Sequence, residues 1–264
     1  MAHGKQIQPS ITAPVPGEAR PIPDARPSRS EQVIHWLSRH WLTIVLVFFG
    51  LYVVLPWLAP VFMHWGWTAA ANVIYIAYTP SCHQLPQRSF FLFGAKPMYT
   101  LREIQAAFRM TDNPLVLRQF IGTPEMGWKV AWSDRMVSMY GAIWASGLLY
   151  ALFRRRVKPL SWKIGLLLVL PLALDGATHM LSDFWPIGTG FRDTNAWLAA
   201  MTNSAFPATF YAGDSLGSFN SWMRLLTGVL FGLGVVWFSF PHLDGMFWSI
   251  RPESHTRPIA SRSC

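Results

Sequence analysis

The residues of this chain best equipped for chemistry lie in the run Ser81-Cys82-His83-Gln84-Leu85-Pro86-Gln87-Arg88-Ser89-Phe90, followed by Phe91-Leu92-Phe93-Gly94. A thiol, an imidazole, an amide and a guanidinium fall within a few positions, at the end of an uncharged stretch that begins at Trp41. A second group is Leu174-Asp175-Gly176-Ala177-Thr178-His179. Its i, i+4 spacing puts Asp175 and His179 on one helical face. Two further apolar stretches open with ionisable side chains, as Ser133-Asp134-Arg135-Met136 and as Trp222-Met223-Arg224-Leu225. Imidazole and carboxylate suit zinc or iron, so His83, Asp175 and His179, with Cys82, are candidate ligands. The same groups could move protons. The plainer alternatives are an Asp175 ion pair with Arg224 or Arg135 that fixes helix register, and arginines that snorkel to headgroups.

The elements that must hold these groups are set by composition. Charged residues are 13% of the chain, against roughly 25% in a soluble domain, and 52% of residues are hydrophobic. Uncharged runs of about 20 residues are long enough to cross a hydrocarbon core of roughly 30 Å. The expected fold class is all-α: a polytopic membrane protein with four transmembrane helices, an interfacial or re-entrant helix and an extracytoplasmic helical cap. The spans are expected at about 41–62, 130–153, 164–182 and 222–240. Pro56 and Pro60 should bend or end the first. The run from Trp67 to Tyr78 is too short to span.

The charge pattern selects the topology. The chain carries a formal charge of +9, and Arg154, Arg155, Arg156, Lys158 and Lys163 crowd one short connection. This basicity is read as membrane orientation rather than nucleic-acid binding. With four spans, that connection and both termini fall on the cytoplasmic side of the cell membrane; a fifth span at 67–78 would put the arginines outside. The domains are then a Pro-rich disordered tail at 1–35, a membrane domain at 36–241 with outer segments 63–129 and 183–221, and a tail at 242–264. Within the first outer segment, Thr100 and Glu103 have the spacing of a capping box. Cys82 and Cys264 are too far apart to suggest a disulfide framework or a cysteine-only metal site.

In this topology Cys82, His83, Gln84, Arg88, Asp134, Arg135, Asp175, His179 and Arg224 all lie at or below the outer interface, and form one candidate polar pocket. A helix beginning near Ile164 and rising 1.5 Å per residue puts Asp175 roughly 16 Å deep, near the bilayer centre.

The motif residues resemble a family of bacterial and archaeal integral membrane proteins of unknown function, whose hallmark is Cys-His-Gln-x-Pro-x-Arg-Ser-Phe followed by a Gly. Cys82, His83, Gln84, Pro86, Arg88, Ser89, Phe90 and Gly94 match that pattern. Pro171 to Gly176, Arg192 to Asn195 and Arg224 to Gly228 resemble later blocks of the same family. Where its members carry Cys-x-Arg-Cys at the start of the second span, this chain has Ser133-Asp134-Arg135-Met136. His179 stands where the family usually has Gln. Segments at about 95–128 and 196–219 are similar to insertions relative to it. The resemblance implies the fold and the place of the site; the family's activity is itself unknown.

Two functional classes follow. One is a non-catalytic accessory or scaffolding subunit of a larger membrane protein complex, in electron transport for example, meeting other subunits through 95–128 and 196–219. The alternative is a small membrane-embedded enzyme, metal-dependent or acid-base, or a ligand-binding protein whose site opens outwards. The sequence names no cofactor. A transporter ranks third, since four spans without a visible repeat offer little for alternating access.

Overall fold

The computed structural model describes residues 28–154 and 156–249. Four of its helices are long and apolar enough to cross a membrane: α1 (Arg29–His64), α5 (Asp134–Phe153), α6 (Trp162–Ser182) and α10 (Phe219–Ser249). The protein is accordingly a mostly helical, multi-pass membrane protein. Between α1 and α5 lie α2 (Thr68–Tyr78), β1 (Ser89–Leu92), α3 (Leu101–Ala107), α4 (Pro114–Leu117), β2 (Gly122–Thr123) and β3 (Gly127–Ser133). Three short helices, α7 (Phe191–Thr194), α8 (Ala196–Met201) and α9 (Ala208–Tyr211), join α6 to α10.

Several boundaries differ from those expected. The first span begins at Arg29, so residues 29–35 are helical rather than tail, and residues 1–27 lie outside the described residues. A helix of 36 residues is roughly 54 Å long, which carries α1 well beyond the hydrocarbon core. Pro56 and Pro60 lie inside it and do not end it. Neighbouring elements can absorb the lost backbone bonds in a membrane helix. α5 starts at Asp134 rather than 130, because residues 127–133 are taken up by β3. α10 continues through 242–249, which were expected to be tail.

α10 is the centre of the bundle. It packs along α5 on one side and α6 on the other, while α5 and α6 scarcely meet. Small residues permit the close approach. A side chain on Gly228 would strike Ser138, and one on Gly232 would strike Ala142 and the Ile143 backbone. α1 packs on α5, α2 and β3. At the end remote from the Cys82 loop, Asp244 of α10 accepts from Trp41 Nε1 at 3.0 Å and Tyr150 Oη at 2.6 Å, and pairs with Arg154.

The cap is where the sequence expectation is extended. It is helical in part, and the Thr100–Glu103 capping box is formed at the start of α3. It also holds a three-stranded antiparallel sheet in the order β1-β3-β2. Gly127 opens β3 at φ 75°, and any side chain there would run into the Leu92 carbonyl. The segment 95–128 shares a core with the motif loop and β1, formed by Leu85, Phe91, Tyr99, Ile104, Leu117 and Phe120. One register fixes the site: Ser89 pairs with Ser133. Arg88 directly precedes Ser89, and Asp134 and Arg135 directly follow Ser133. The sheet therefore holds the Cys82–Arg88 loop against the start of α5.

Candidate functional site

Backbone turns set the loop geometry. Gln84 has a left-handed backbone, φ 52°, its amide N–H donates to Cys82 Sγ at 3.3 Å, and its side chain donates to Tyr75 O at 2.8 Å. A single 3-10 turn, Pro86–Arg88, then aims Arg88 across to the loop after α9.

Arg88 starts the first of two ion-pair chains. Its Nε donates to Asp214 Oδ2 at 2.8 Å and its Nη2 to Asp183 Oδ1 at 3.2 Å. Burial disfavours the charged guanidinium, but Asp214 and Asp183 outweigh it and raise its pKa. Asp214 in turn accepts from Arg224 Nη1 at 2.6 Å. Burial would raise the Asp214 carboxyl; Arg88 and Arg224 overcome that and hold it well below the usual carboxylate range. Arg224 Nε closes on both oxygens of Asp134, at 2.8 and 3.0 Å.

The second chain centres on Asp175. Its two oxygens accept from Arg135 Nη2 at 2.6 Å and Arg192 Nη2 at 2.7 Å. Arg192 Nη2 also lies 3.1 Å from His179 Nε2. A guanidinium only donates, so Nε2 accepts, and the ring proton sits on Nδ1. Two asparagines hold α7 in place for this: Asn195 and Asn220 both donate to the Arg192 carbonyl at 2.6 Å. Asp175 lies seven residues, about two turns or roughly 10 Å, from the Ser182 end of α6.

The predicted residues come together. A cavity of about 340 Å³ is lined by Cys82, His83, Gln84 and Arg88 from the loop, Arg135 from α5, His179 from α6 and Arg224 from α10. Asp134 and Asp175 lie directly behind the lining arginines. The pairing differs in one respect from expectation: Asp175 binds Arg135 and Arg192, while Arg224 binds Asp134 and Asp214. His83, Asp175 and His179 do not assemble as metal ligands, because both Asp175 oxygens and His179 Nε2 are occupied by arginine N–H groups. Among the described residues no group of three or more His, Cys, Asp or Glu is placed to hold a metal ion.

Three site residues lie outside the candidate pocket read from the sequence, although Arg192 falls in the block 192–195 that resembles the family. Asp214 lies in a Gly- and Ser-rich loop without periodicity, and Arg192 lies on a helix of four residues. The third is Lys129. It is fully buried, with its Nζ donating to the carbonyls of Gln84 at 2.9 Å and Arg118 at 2.6 Å, beside a second cavity of about 390 Å³. Burial pushes its pKa down to about 7. It ties the motif loop to the segment 95–128.

Residues 125–238 match the family described as "Predicted membrane protein (DUF2085)". An uncharacterized protein of Methanocaldococcus jannaschii is 38% identical over 65 residues, which is 23% of this chain and 41% of that protein. The match thus spans less than half of that relative's length. No solved structure matches the chain. The family match takes in Lys129, Asp134, Arg135, Asp175, His179, Arg192, Asp214 and Arg224, and the segment that carries them is similar to that family of predicted membrane proteins.

Proposed function

We infer that the protein is a membrane-embedded ligand-binding protein whose pocket opens on the extracytoplasmic side. The observation that carries this reading is the mismatch between donors and acceptors at the cavity. Arg135 Nε and His179 Nδ1 are buried without a protein acceptor, while the carboxylates around them are already engaged. A network that served only to fix helix register would satisfy its own members. The outward orientation rests on Arg154, Lys158 and Lys163 at the opposite end of the bundle, where the positive-inside rule assigns them to the cytoplasm.

A second reading, an accessory subunit of a larger membrane assembly, is favoured by exposed apolar side chains on the two added segments, Met110 and Leu115 on one and Met201 and Phe206 on the other. Against it, those segments are used internally. Leu117 fills the cap core, Asp214 belongs to the ion-pair chain, and the Arg118 carbonyl holds Lys129. Gentle extraction from native membranes, followed by native mass spectrometry of the intact protein, tests the two. A bound non-protein mass at one per chain is expected; stoichiometric polypeptide partners with no such mass would favour the subunit reading.

A further inference from the structure

Resting on the ligand-binding reading, we propose that the ligand is a lipid with a phosphate headgroup, held by Arg135 and His179 in the cavity, with its acyl chains lying between α5 and α6. Three observations on the cavity carry the argument.

The first is donor geometry. The unpartnered buried polar atoms of the lining residues are Arg135 Nε and His179 Nδ1, and both are N–H donors. His179 is well over nine-tenths buried, with a side-chain exposure of 4%, and the acceptor role of Nε2 leaves its second nitrogen a proton to give. A ligand matched to this wall must bring acceptors. The donors come from α5 and α6, with exposed His83 of the loop on the same wall. Oxygens disposed around a tetrahedral centre meet donors from all three of these elements.

The second is charge. Arg88, Arg135 and Arg224 line the cavity, against one lining carboxylate, Asp183. Asp134, Asp175 and Asp214 sit behind the guanidiniums rather than beside the space. Asp175 is shared with Arg192, whereas Arg88 and Arg224 each meet two aspartates, so among the cavity arginines Arg135 has the least compensated charge.

The third is the shape of the opening. Met136 on α5 and Gly176 and Met180 on α6 form the remaining wall. Both helices pack on α10 and scarcely on each other, so few side chains close the space between them. Met180 is exposed, and Leu174 and Leu181 are exposed on the same helix. Gly176 lies beside Arg135 in this wall: a methyl group there would make ordinary contact with Arg135 Nη1 at 3.6 Å, and a longer side chain would take up cavity space. At about 340 Å³ the cavity takes a headgroup but not acyl chains, which must lie outside it.

The test is a titration of the full-length, detergent-solubilised protein with dihexanoyl phosphatidic acid, its uncharged counterpart dihexanoylglycerol, and inorganic phosphate, read by native mass spectrometry. Phosphatidic acid should bind one per chain and dihexanoylglycerol much more weakly. Arg135→Gln should weaken phosphatidic acid binding at least roughly tenfold, with Arg135→Lys recovering only part because it lacks the guanidinium fork. Gly176→Leu, which keeps every charge and favours the helix, should also weaken it while leaving the thermal midpoint unchanged. This second variant keeps the proposal testable if Arg135→Gln misfolds. Inorganic phosphate binding as tightly as the lipid, with no effect of Gly176→Leu, would overturn the lipid source and leave a phosphate site. Equal binding of dihexanoylglycerol would overturn the anionic headgroup while the ligand-binding reading stands. If neither lipid nor phosphate binds and both variants match wild type, the proposal and that reading fall together.

Discussion

Arg192, on a helix of four residues between the third and fourth long helices, donates to Asp175 of the third at 2.7 Å, while Arg135 from the second takes the other oxygen at 2.6 Å. One carboxylate thus joins α5, α6 and the segment before α10. Its removal leaves two largely buried guanidiniums without their anion, so Asp175→Ala is expected to destabilise the protein by about 3–5 kcal/mol. Unfolding in mixed detergent would measure this. Double-mutant cycles should give a large coupling for Asp175 with Arg192 and a small one for Asp175 with Arg224, which touches Asp134 and Asp214 instead.

Lys129 makes stability depend on pH in an unusual direction. Its amine titrates near 10.4 in an unfolded chain and at about 7 in the folded protein. Between those values the unfolded chain binds more protons, so stability should rise with pH from about 7 to about 10. Lys129→Met lacks this contribution. Wild type should therefore gain on the variant across that window by on the order of 2–4 kcal/mol, measured by denaturant unfolding at several pH values. A constant difference between the two would count against a buried neutral amine.

Asp244 gathers Trp41, Tyr150 and Arg154 at the end of the bundle remote from the cavity. Asp244→Ala leaves a hydroxyl, an indole N–H and a guanidinium without their common acceptor, at a cost of about 1–3 kcal/mol. Ligand binding at the cavity should be unaffected, which separates this tie from the site.

Gly232→Val would place methyl groups against Ala142 and the Ile143 backbone, where α5 and α10 are in close contact. Overpacking of this kind costs about 1–3 kcal/mol and should lower the thermal midpoint. Gly245→Val, where a side chain meets open space, is the control.

The spans could be read from the sequence because hydropathy alone places long apolar helices in a membrane, and the capping box at Thr100 and Glu103 because its chemistry is local. Asp175 and His179 share a face by helical period and lie 3.8 Å apart, with Arg135 donating to the same carboxylate. What could not be read was long-range. The Ser89–Ser133 pairing depends on strands of four and seven residues, too short for their period to show. Arg224 was a candidate partner for Asp175, yet Asp214 and Asp134 capture it. Asp214 and Arg192 lie in segments whose position is fixed by asparagine side-chain bonds to the backbone, which leave no periodic trace. Lys129 has no acidic neighbour in sequence and pairs only with carbonyls, so nothing in the string marks it.

The most direct measurement is an experimental density map of the protein extracted with its native lipids, at a resolution that shows side-chain hydrogen bonds. Non-protein density is expected in the cavity, with an oxygen about 3 Å from both Arg135 Nε and His179 Nδ1. A map in which those two nitrogens bond only to protein groups or ordered water, with α5 and α6 closed over the space, would contradict it.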